Sequence, residues 1–315
     1  MFNPTTSATN PHNCHFSFMI SLSILSNLWE KSLDSVDSIA LNARINTTHR
    51  ESVLKWLFES LDLLHVPDGV FFASVVLADR YSSKVESRRR LEGSELQLVI
   101  LSSLCCCLKT VDASIDLSVK AFLEHVSGGH VDAKDIFQTE AKLLQALEFN
   151  AFTPCLSVYV DSFYNALCLD RADAGPLEQR TDTRPLPEWA QKQRYLTLFL
   201  LYLCVFDIER LHSQSPAELT ATCILTSAYI CSNQDRTPSE APEWERIVEN
   251  LVSAGWVQGT SDLATQISDL IVFWQEAVDK STDAVESCIK LFDCKERFHV
   301  SRISPGGTRF TVSGG

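Results

Sequence analysis

The sequence has little positive charge and lacks the short motifs that mark the common catalytic sites. Its 27 lysines and arginines face 40 aspartates and glutamates, which gives a formal net charge of −13. Because a fold that neutralises phosphates usually shows a basic face, this balance disfavours general nucleic-acid binding. The chain contains no P-loop, Gly-x-Ser-x-Gly, His-Glu-x-x-His or Gly-x-Gly-x-x-Gly motif. The motifs therefore identify no enzyme active site, and we expect no cofactor.

No Cys-x-x-Cys pair occurs among the eleven cysteines, so the spacing of a zinc ribbon is absent and we expect no metal site. Cys105, Cys106 and Cys107 are consecutive inside an apolar segment, and consecutive positions on a helix point in different directions. Reduced cysteines that act as small apolar residues explain this pattern and indicate a reducing compartment. A Cys–His dyad that assembles only in space, as in a cysteine hydrolase, stays open as an alternative.

No apolar run is long enough to cross a bilayer. Residues 16–28 resemble the core of a signal peptide, but no lysine or arginine precedes them, and the first is Lys31. Without a positively charged leading region, secretion is disfavoured. The other long apolar run, residues 195–206, is also short and indicates a buried helix. We therefore expect neither secretion nor a membrane partner.

Nearly every apolar segment has helical spacing and length, which predicts an all-α protein. At about 100–200 residues per domain, the length of the chain predicts two domains. The predicted helices cover residues 17–32, 50–65, 68–82, 96–108, 115–126 and 132–147 in the first half, and 156–168, 191–206, 217–231, 243–255, 261–278 and 281–292 in the second. The segment 217–231 repeats the small and apolar character of 96–108, which indicates a duplicated bundle.

Four segments of the first half resemble motifs of the cyclin family, in the same order and at similar separations. They are His49–Leu57 (HRESVLKWL), Leu77–Ser82 (LADRYS), Leu96–Lys109 (LQLVILSSLCCCLK) and Asp135–Thr153 (DIFQTEAKLLQALEFNAFT). The second half matches more loosely, through residues 195–209, 215–230 and 289–301. The spacing is most similar to that of A- and B-type cyclins.

The resemblance implies two tandem five-helix cyclin-fold bundles preceded by an N-terminal helix. The implied divisions are an N-terminal tail and helix over 1–44, a kinase-binding cyclin fold over 45–155, a second cyclin fold over 156–301 and a flexible tail over 302–315. It also implies a function in cell-cycle control, in the nucleus and the cytoplasm. The chain would be no enzyme but a regulatory subunit that binds and activates a cyclin-dependent Ser/Thr protein kinase.

Two charged residues lie in helices that should be largely apolar. On the pattern alone, Lys109 and Glu140 would each be placed at a helix end or on a solvated face. By position, however, they match the family pair that clamps the mobile helix of the kinase. Opposite charges close together are tolerated when they also bind a partner's backbone. The resemblance therefore implies a kinase contact by this pair, with apolar contacts from Leu144 and Leu147.

The resemblance gives a structural role to a second pair. Arg50 begins one predicted helix, and Asp79 lies near the end of the next. A buried ion pair there would fix how the two helices pack, so we assign both residues to the fold.

The family also has a docking groove for substrates or inhibitors that carry Arg-x-Leu. Trp56, Glu59 and Gln97 occupy matching positions, and an indole floor, a carboxylate for arginine and an amide for the backbone suit that ligand. Packing of Trp56 against Gln97 in the fold alone would explain the presence of these residues equally well. Three apolar positions of the family groove carry other residues here: His49, Ser52 and Val53. Each Å² of apolar surface that is no longer buried costs about 25 cal/mol of binding free energy, so we expect a weak or re-specified groove.

Two other functions stay open on the sequence. A cyclin-fold scaffold would bind a kinase without activating it. A transcription-related protein, similar to transcription factor IIB, would bind DNA and would need a basic face.

Overall fold

The computed structural model of the chain is built from α-helices. It describes residues 36, 38–85, 90–110, 118–151, 156–169, 186–234, 244–257 and 263–304. Across these ranges it contains no β-strand, and Ile45 and Leu91 form only an isolated parallel bridge. The predicted all-α fold class is therefore confirmed.

The helices fall into two runs along the chain. The first run consists of α1 (Ser38–Arg44), α2 (Thr47–Leu63), α3 (Asp68–Lys84), α4 (Gly93–Thr110), α5 (Val119–Val126) and α6 (Ala133–Ala146). The second consists of α7 (Leu156–Leu169), α8 (Glu188–Phe206), α9 (Ile208–His212), α10 (Pro216–Gln234), α11 (Trp244–Ser253), α12 (Leu263–Lys280) and α13 (Asp283–Phe292), followed by 3₁₀ turns at Lys295–Arg297 and Val300–Arg302.

Most predicted helices agree with these bounds to within a few residues. The sequence pattern does not predict α1 and α9, because five to seven residues are too short to show a period. The predicted N-terminal helix over 17–32 lies outside the described residues. The four predicted domain divisions stay predictions.

The helix α4 lies at the centre of the first half, packed against α3 and α6. Its side chains from Val99 to Leu108 are all buried, and a helix that is apolar all round needs such surroundings. Small side chains let its neighbours approach closely. Ser102 Oγ, for example, donates a hydrogen bond across to the carbonyl of Ile136 in α6, at 3.1 Å.

The helix α10 has the equivalent place in the second half, packed against α7, α8 and α12. Three hydroxyl groups meet in this core. The Tyr164 hydroxyl lies 3.1 Å from Thr197 Oγ1 and 3.2 Å from Ser227 Oγ, and the latter two are 2.8 Å apart. Each of these three buried hydroxyls thus has a hydrogen-bond partner, as the low polarity of a protein core requires.

The two halves share one continuous core. The helix α3 packs against α7, α2 against α13, and α1 against α9. Tyr202 of α8 reaches into the first half and stacks on Phe71 with ring centroids 5.0 Å apart. Its hydroxyl donates to Asp68 Oδ1 at 2.6 Å, at the beginning of α3. This junction fixes the orientation of the first half relative to the second.

The helix α2 begins at a side-chain cap. Asn46 Oδ1 accepts hydrogen bonds from the backbone N–H groups of Thr48 and His49, at 2.9 and 3.3 Å. We expect Asn46→Ala to lower the free energy of unfolding by about 1 kcal/mol, since the two N–H groups lose their acceptor. Asn46→Asp keeps an acceptor and serves as the control. Urea unfolding followed by circular dichroism measures the difference, and equal stability of both variants would rule out the cap.

Candidate functional site

The predicted pair Lys109 and Glu140 meet on one face of the first half. Lys109 lies in the last turn of α4, and Glu140 lies in the middle of α6, which packs beside it. Lys109 Nζ donates to both carboxylate oxygens of Glu140 at 2.7 Å. Residues that are 31 positions apart in the sequence thus form one ion pair at the seam between two helices.

The two partners differ in their exposure to solvent. Glu140 is only 7% exposed, and Cys106 Sγ also donates to its Oε1 at 3.5 Å. The Lys109 side chain is 46% exposed. Burial lowers the pKa of Lys109, but the hydrogen bond and charge of Glu140, together with Cys105, outweigh burial and hold the pKa above its ordinary value. The site therefore presents a fixed ammonium group, anchored from below by a buried carboxylate.

Apolar side chains surround this pair. The Phe137 ring lies 5.2 Å from Lys109 Nζ and is 36% exposed, while Leu144 is half-buried. A cation over an aromatic face is attracted by the ring quadrupole. Leu147 is 1% exposed and belongs to the core, so its predicted place among the partner-facing residues does not fit this fold.

Phe149 adds an aromatic group that the sequence analysis did not single out. It follows the end of α6, is 73% exposed, and has a backbone φ of 60°. Its N–H donates to the carbonyl of Leu144 at 2.7 Å, which fixes it beside that residue. A left-handed backbone is rare for a bulky residue, so its position depends on the tight turn after α6. A large aromatic residue just after the end of a predicted helix was the available signal.

The predicted structural pair Arg50 and Asp79 lies deep in the molecule. Arg50 Nη2 is 2.8 Å from Asp79 Oδ2, with side chains 2% and 3% exposed. His212 Nε2, from α9 of the second half, lies 3.0 Å from the same Asp79 oxygen. Arg50 Nη1 also donates to the carbonyl of Val205 at 2.6 Å. The pair thus joins the two halves, a role that the sequence analysis did not predict because α9 was not recognised.

Burial alone would raise the pKa of Asp79. The charges and hydrogen bonds of Arg50 and His212 together outweigh burial and hold the pKa of Asp79 below its ordinary value. The carboxylate is therefore ionised wherever the protein is folded near neutral pH.

The predicted docking groove is brought together only in part. Trp56 and Glu59 line a cavity of about 490 Å³ between α2 and the beginning of α13, with Ser52 on the same wall. Gln97 does not line this cavity. Glu59 Oε1 already accepts a hydrogen bond from Ser287 Oγ at 2.7 Å. The cavity has an indole and three carboxylates, but few apolar side chains, and Lys55 Nζ lies 3.8 Å from Glu59 Oε1.

Other chemistries find little support in the described part of the chain. Burial raises the pKa of Cys105 to about 11, and burial with Glu140 raises that of Cys106 further. A thiol nucleophile needs the thiolate, so these cysteines are unsuited to catalysis. Within the same ranges, no three His, Cys, Asp or Glu side chains are placed to bind a metal ion. None of the described helices combines the length and apolarity needed to cross a membrane.

Comparison with known proteins agrees with this architecture. The family model for the cyclin N-terminal domain matches residues 21–151. The solved structure of a viral cyclin from Herpesvirus saimiri superposes with a TM-score of 0.52 at 17% identity, over 78% of this chain and 97% of that one. The chain thus shares the fold of that cyclin over most of its length.

Curated relatives are plant mitotic cyclins. Cyclin-B2-1 of Arabidopsis thaliana is 25% identical over 192 residues, which are 61% of this chain and 38% of that protein. The G2/mitotic-specific cyclin-2 of Medicago sativa is 28% identical over 127 residues, which are 40% of this chain and 37% of that protein. The matched stretch thus spans less than two fifths of either relative. The first half of the chain is thus similar to the N-terminal domain of cyclins, which are regulatory proteins rather than enzymes.

Proposed function

We propose that this chain is the regulatory subunit of a cyclin-dependent Ser/Thr protein kinase in cell-cycle control. The observation that carries the proposal is the Lys109–Glu140 pair, with a buried anion that holds an exposed cation on the α4–α6 face. The similarity to cyclins supports the same conclusion. The nucleus and the cytoplasm, where such kinases act, are the proposed locations.

The kinase contact follows from the chemistry of this face. An ammonium group carries three N–H donors, so Lys109 can bind a backbone carbonyl at the end of a partner helix while it stays bonded to Glu140. Phe137, Leu144 and Phe149 offer apolar area around it. A stable interface of this kind buries at least about 1,200 Å² in total, so the charged pair would lie inside a larger apolar contact.

Activation would work through the position of the kinase's regulatory helix. Phosphoryl transfer in protein kinases requires a Lys–Glu ion pair that involves this helix and an ordered activation loop. A cyclin face that holds the helix inward would complete that pair and order the loop. The chain itself supplies no catalytic group in this mechanism.

The experiment mixes the purified chain with individual cyclin-dependent kinases. Calorimetry measures binding, and histone phosphorylation measures the activity of the kinase. We expect one kinase to bind with a Kd below about 1 μM, or about −8 kcal/mol, and to phosphorylate histone only in the complex. Binding without activity would favour the scaffold alternative. A DNA mobility shift that disappears with added salt, without kinase binding, would favour the transcription-related alternative.

The cavity at Trp56 and Glu59 supports a role in substrate selection. A carboxylate beside an indole suits the guanidinium of an arginine, through a charge-assisted hydrogen bond and stacking. Of the three positions that differ from the family groove, Ser52 lines the cavity, and His49 and Val53 do not. The cavity therefore offers less apolar area than an Arg-x-Leu ligand would use. We therefore propose that Arg-x-Leu substrates or inhibitors bind weakly at this cavity, which is called the Trp56 groove below.

A further inference from the structure

A second and larger cavity lies at the junction of the two halves. Its volume is about 820 Å³, and it is formed by α1, the beginning of α2, the α8–α9 corner and α12. Phe206, Ile208 and Phe273 give it an apolar wall. Ligand cavities commonly have this size and lie between domains. We call it the inter-half cleft.

The inter-half cleft carries an excess of negative charge. Its carboxylates are Glu51, Asp207, Glu209 and Glu276, and its cations are Arg90 and Lys280. Asn42 Nδ2 donates to Glu209 at 3.2 Å and the backbone N–H of Arg210 donates to Asp207 at 2.9 Å, which orients these two carboxylates without neutralising them. Lys280 Nζ lies 4.0 Å from Glu276, an exposed pair, and the four carboxylates still exceed the two cations of the cleft. A cavity lined mainly by one sign of charge attracts the opposite sign.

The inter-half cleft adjoins the Trp56 groove. Thr48, Glu51 and Thr282 line both cavities. The Thr282 hydroxyl donates to Glu51 and forms a partition between them. A peptide that crosses this partition would contact both cavities in one binding event.

We propose that the inter-half cleft binds a peptide segment that presents a lysine or arginine beside an apolar side chain, and that this segment belongs to the partner that docks in the Trp56 groove. The identity of this partner rests on the proposed function. A segment of the chain itself could compete for the cleft, but residues 16–28 are apolar and contain no cation. The negative charge of the cleft therefore favours the cationic partner segment.

The geometry also sets the spacing between the two parts of the motif. Glu59, in the groove, and Thr48, at the partition, lie on the same helix, roughly 16 Å apart at 1.5 Å per residue. An extended peptide covers this distance with about five residues at 3.3 Å each. Since the cleft carboxylates lie beyond this partition, the partner motif would be bipartite, with at least about five residues between its parts.

The test measures the binding of fluorescent peptides to the full chain by anisotropy. One peptide carries only Arg-x-Leu, a second carries only Lys-Lys-Leu, and a third joins both through five Gly and Ser residues. We expect the joined peptide to bind at least about tenfold more tightly than either part, because the second contact becomes intramolecular. A joined peptide with Glu-Glu-Leu as the second part is the control, and we expect no gain from it.

A variant of the protein locates the contact. Glu209→Gln with Glu276→Gln removes two charges without changing side-chain volume, and Glu249→Gln on α11 is the matched control. We expect the double variant to reduce the joined peptide to the affinity of the Arg-x-Leu peptide, which itself binds unchanged. Equal binding of the joined peptide to both variants would overturn the proposal.

Two further results separate the possible failures. If the Arg-x-Leu peptide does not bind at all, the proposed function of the Trp56 groove is wrong. The proposal for the inter-half cleft then holds only if the Lys-Lys-Leu peptide binds and loses affinity in the double variant. If sedimentation shows self-association that the double variant abolishes, the cleft holds a second copy of the chain, and the peptide proposal is wrong.

Discussion

Replacing Asp79 with alanine should lower the free energy of unfolding by about 3–5 kcal/mol. The Asp79 carboxylate is the shared acceptor of Arg50 and His212, and all three side chains are at least nine-tenths buried. Its removal leaves the Arg50 guanidinium in the core without its counter-charge. An uncompensated buried charge costs far more than the ion pair itself contributes, because water no longer solvates it.

Urea unfolding at 25 °C measures this effect, and Asp161→Ala is the matched control. Asp161 pairs with Arg194 at 2.6 Å, but its side chain is 44% exposed. An exposed pair contributes about 0–1 kcal/mol, so the control should lose little stability. Similar losses in the two variants would contradict the buried role of Asp79. If Asp79→Ala yields no folded protein, Asp79→Asn keeps the shape of the side chain and removes only its charge.

The same carboxylate makes stability depend on acidity. Since the folded pKa of Asp79 lies below the ordinary value of 3.8, its contribution is fully present above about pH 4 and is lost as the pH falls through the folded pKa. Asp79→Asn should therefore flatten the fall of unfolding free energy below pH 4. A variant whose acid-induced loss of stability matches that of the unmodified chain would contradict this linkage.

The helical fold could be predicted because its signal is local. The segment that became α4 is apolar on every side, and the structure surrounds it with helices, as that pattern requires. The helix α9 could not be predicted, since five residues show no period. Its importance comes from a contact distant in sequence, between His212 and Asp79, which no local pattern encodes.

The candidate site was predictable only where resemblance supplied the pairing. Lys109 and Glu140 are unusual in their helices, but only the family motif placed them together. Leu147 shows where the resemblance and the fold differ. At about 100° per residue, Leu147 lies roughly 20° from both Ile136 and Glu140 on the helical wheel, so periodicity alone does not decide whether it faces the core or a partner. The structure decides it, because Leu147, just after the end of α6, is only 1% exposed.

Replacing Glu140 or Lys109 with alanine should weaken the complex with the cognate kinase by about 2–5 kcal/mol, at least about 30-fold in Kd. Each change removes a charge that the interface would bury, and leaves its partner uncompensated. The folded chain alone should lose at most about 1 kcal/mol with Glu140→Ala, because Lys109, 46% exposed at its side chain, can return to water. Calorimetric titration measures the first effect and urea unfolding the second, with Glu249→Ala as the control.

A charge swap distinguishes contact from packing. Lys109→Glu combined with Glu140→Lys restores an ion pair between α4 and α6, but it presents an anion where the partner meets a cation. If the pair only holds two helices together, the swap should recover both stability and kinase binding. If Lys109 contacts a partner carbonyl, the swap should recover stability and leave binding at the level of the single variants. Recovery of full kinase affinity would therefore remove the α4–α6 pair from the proposed interface.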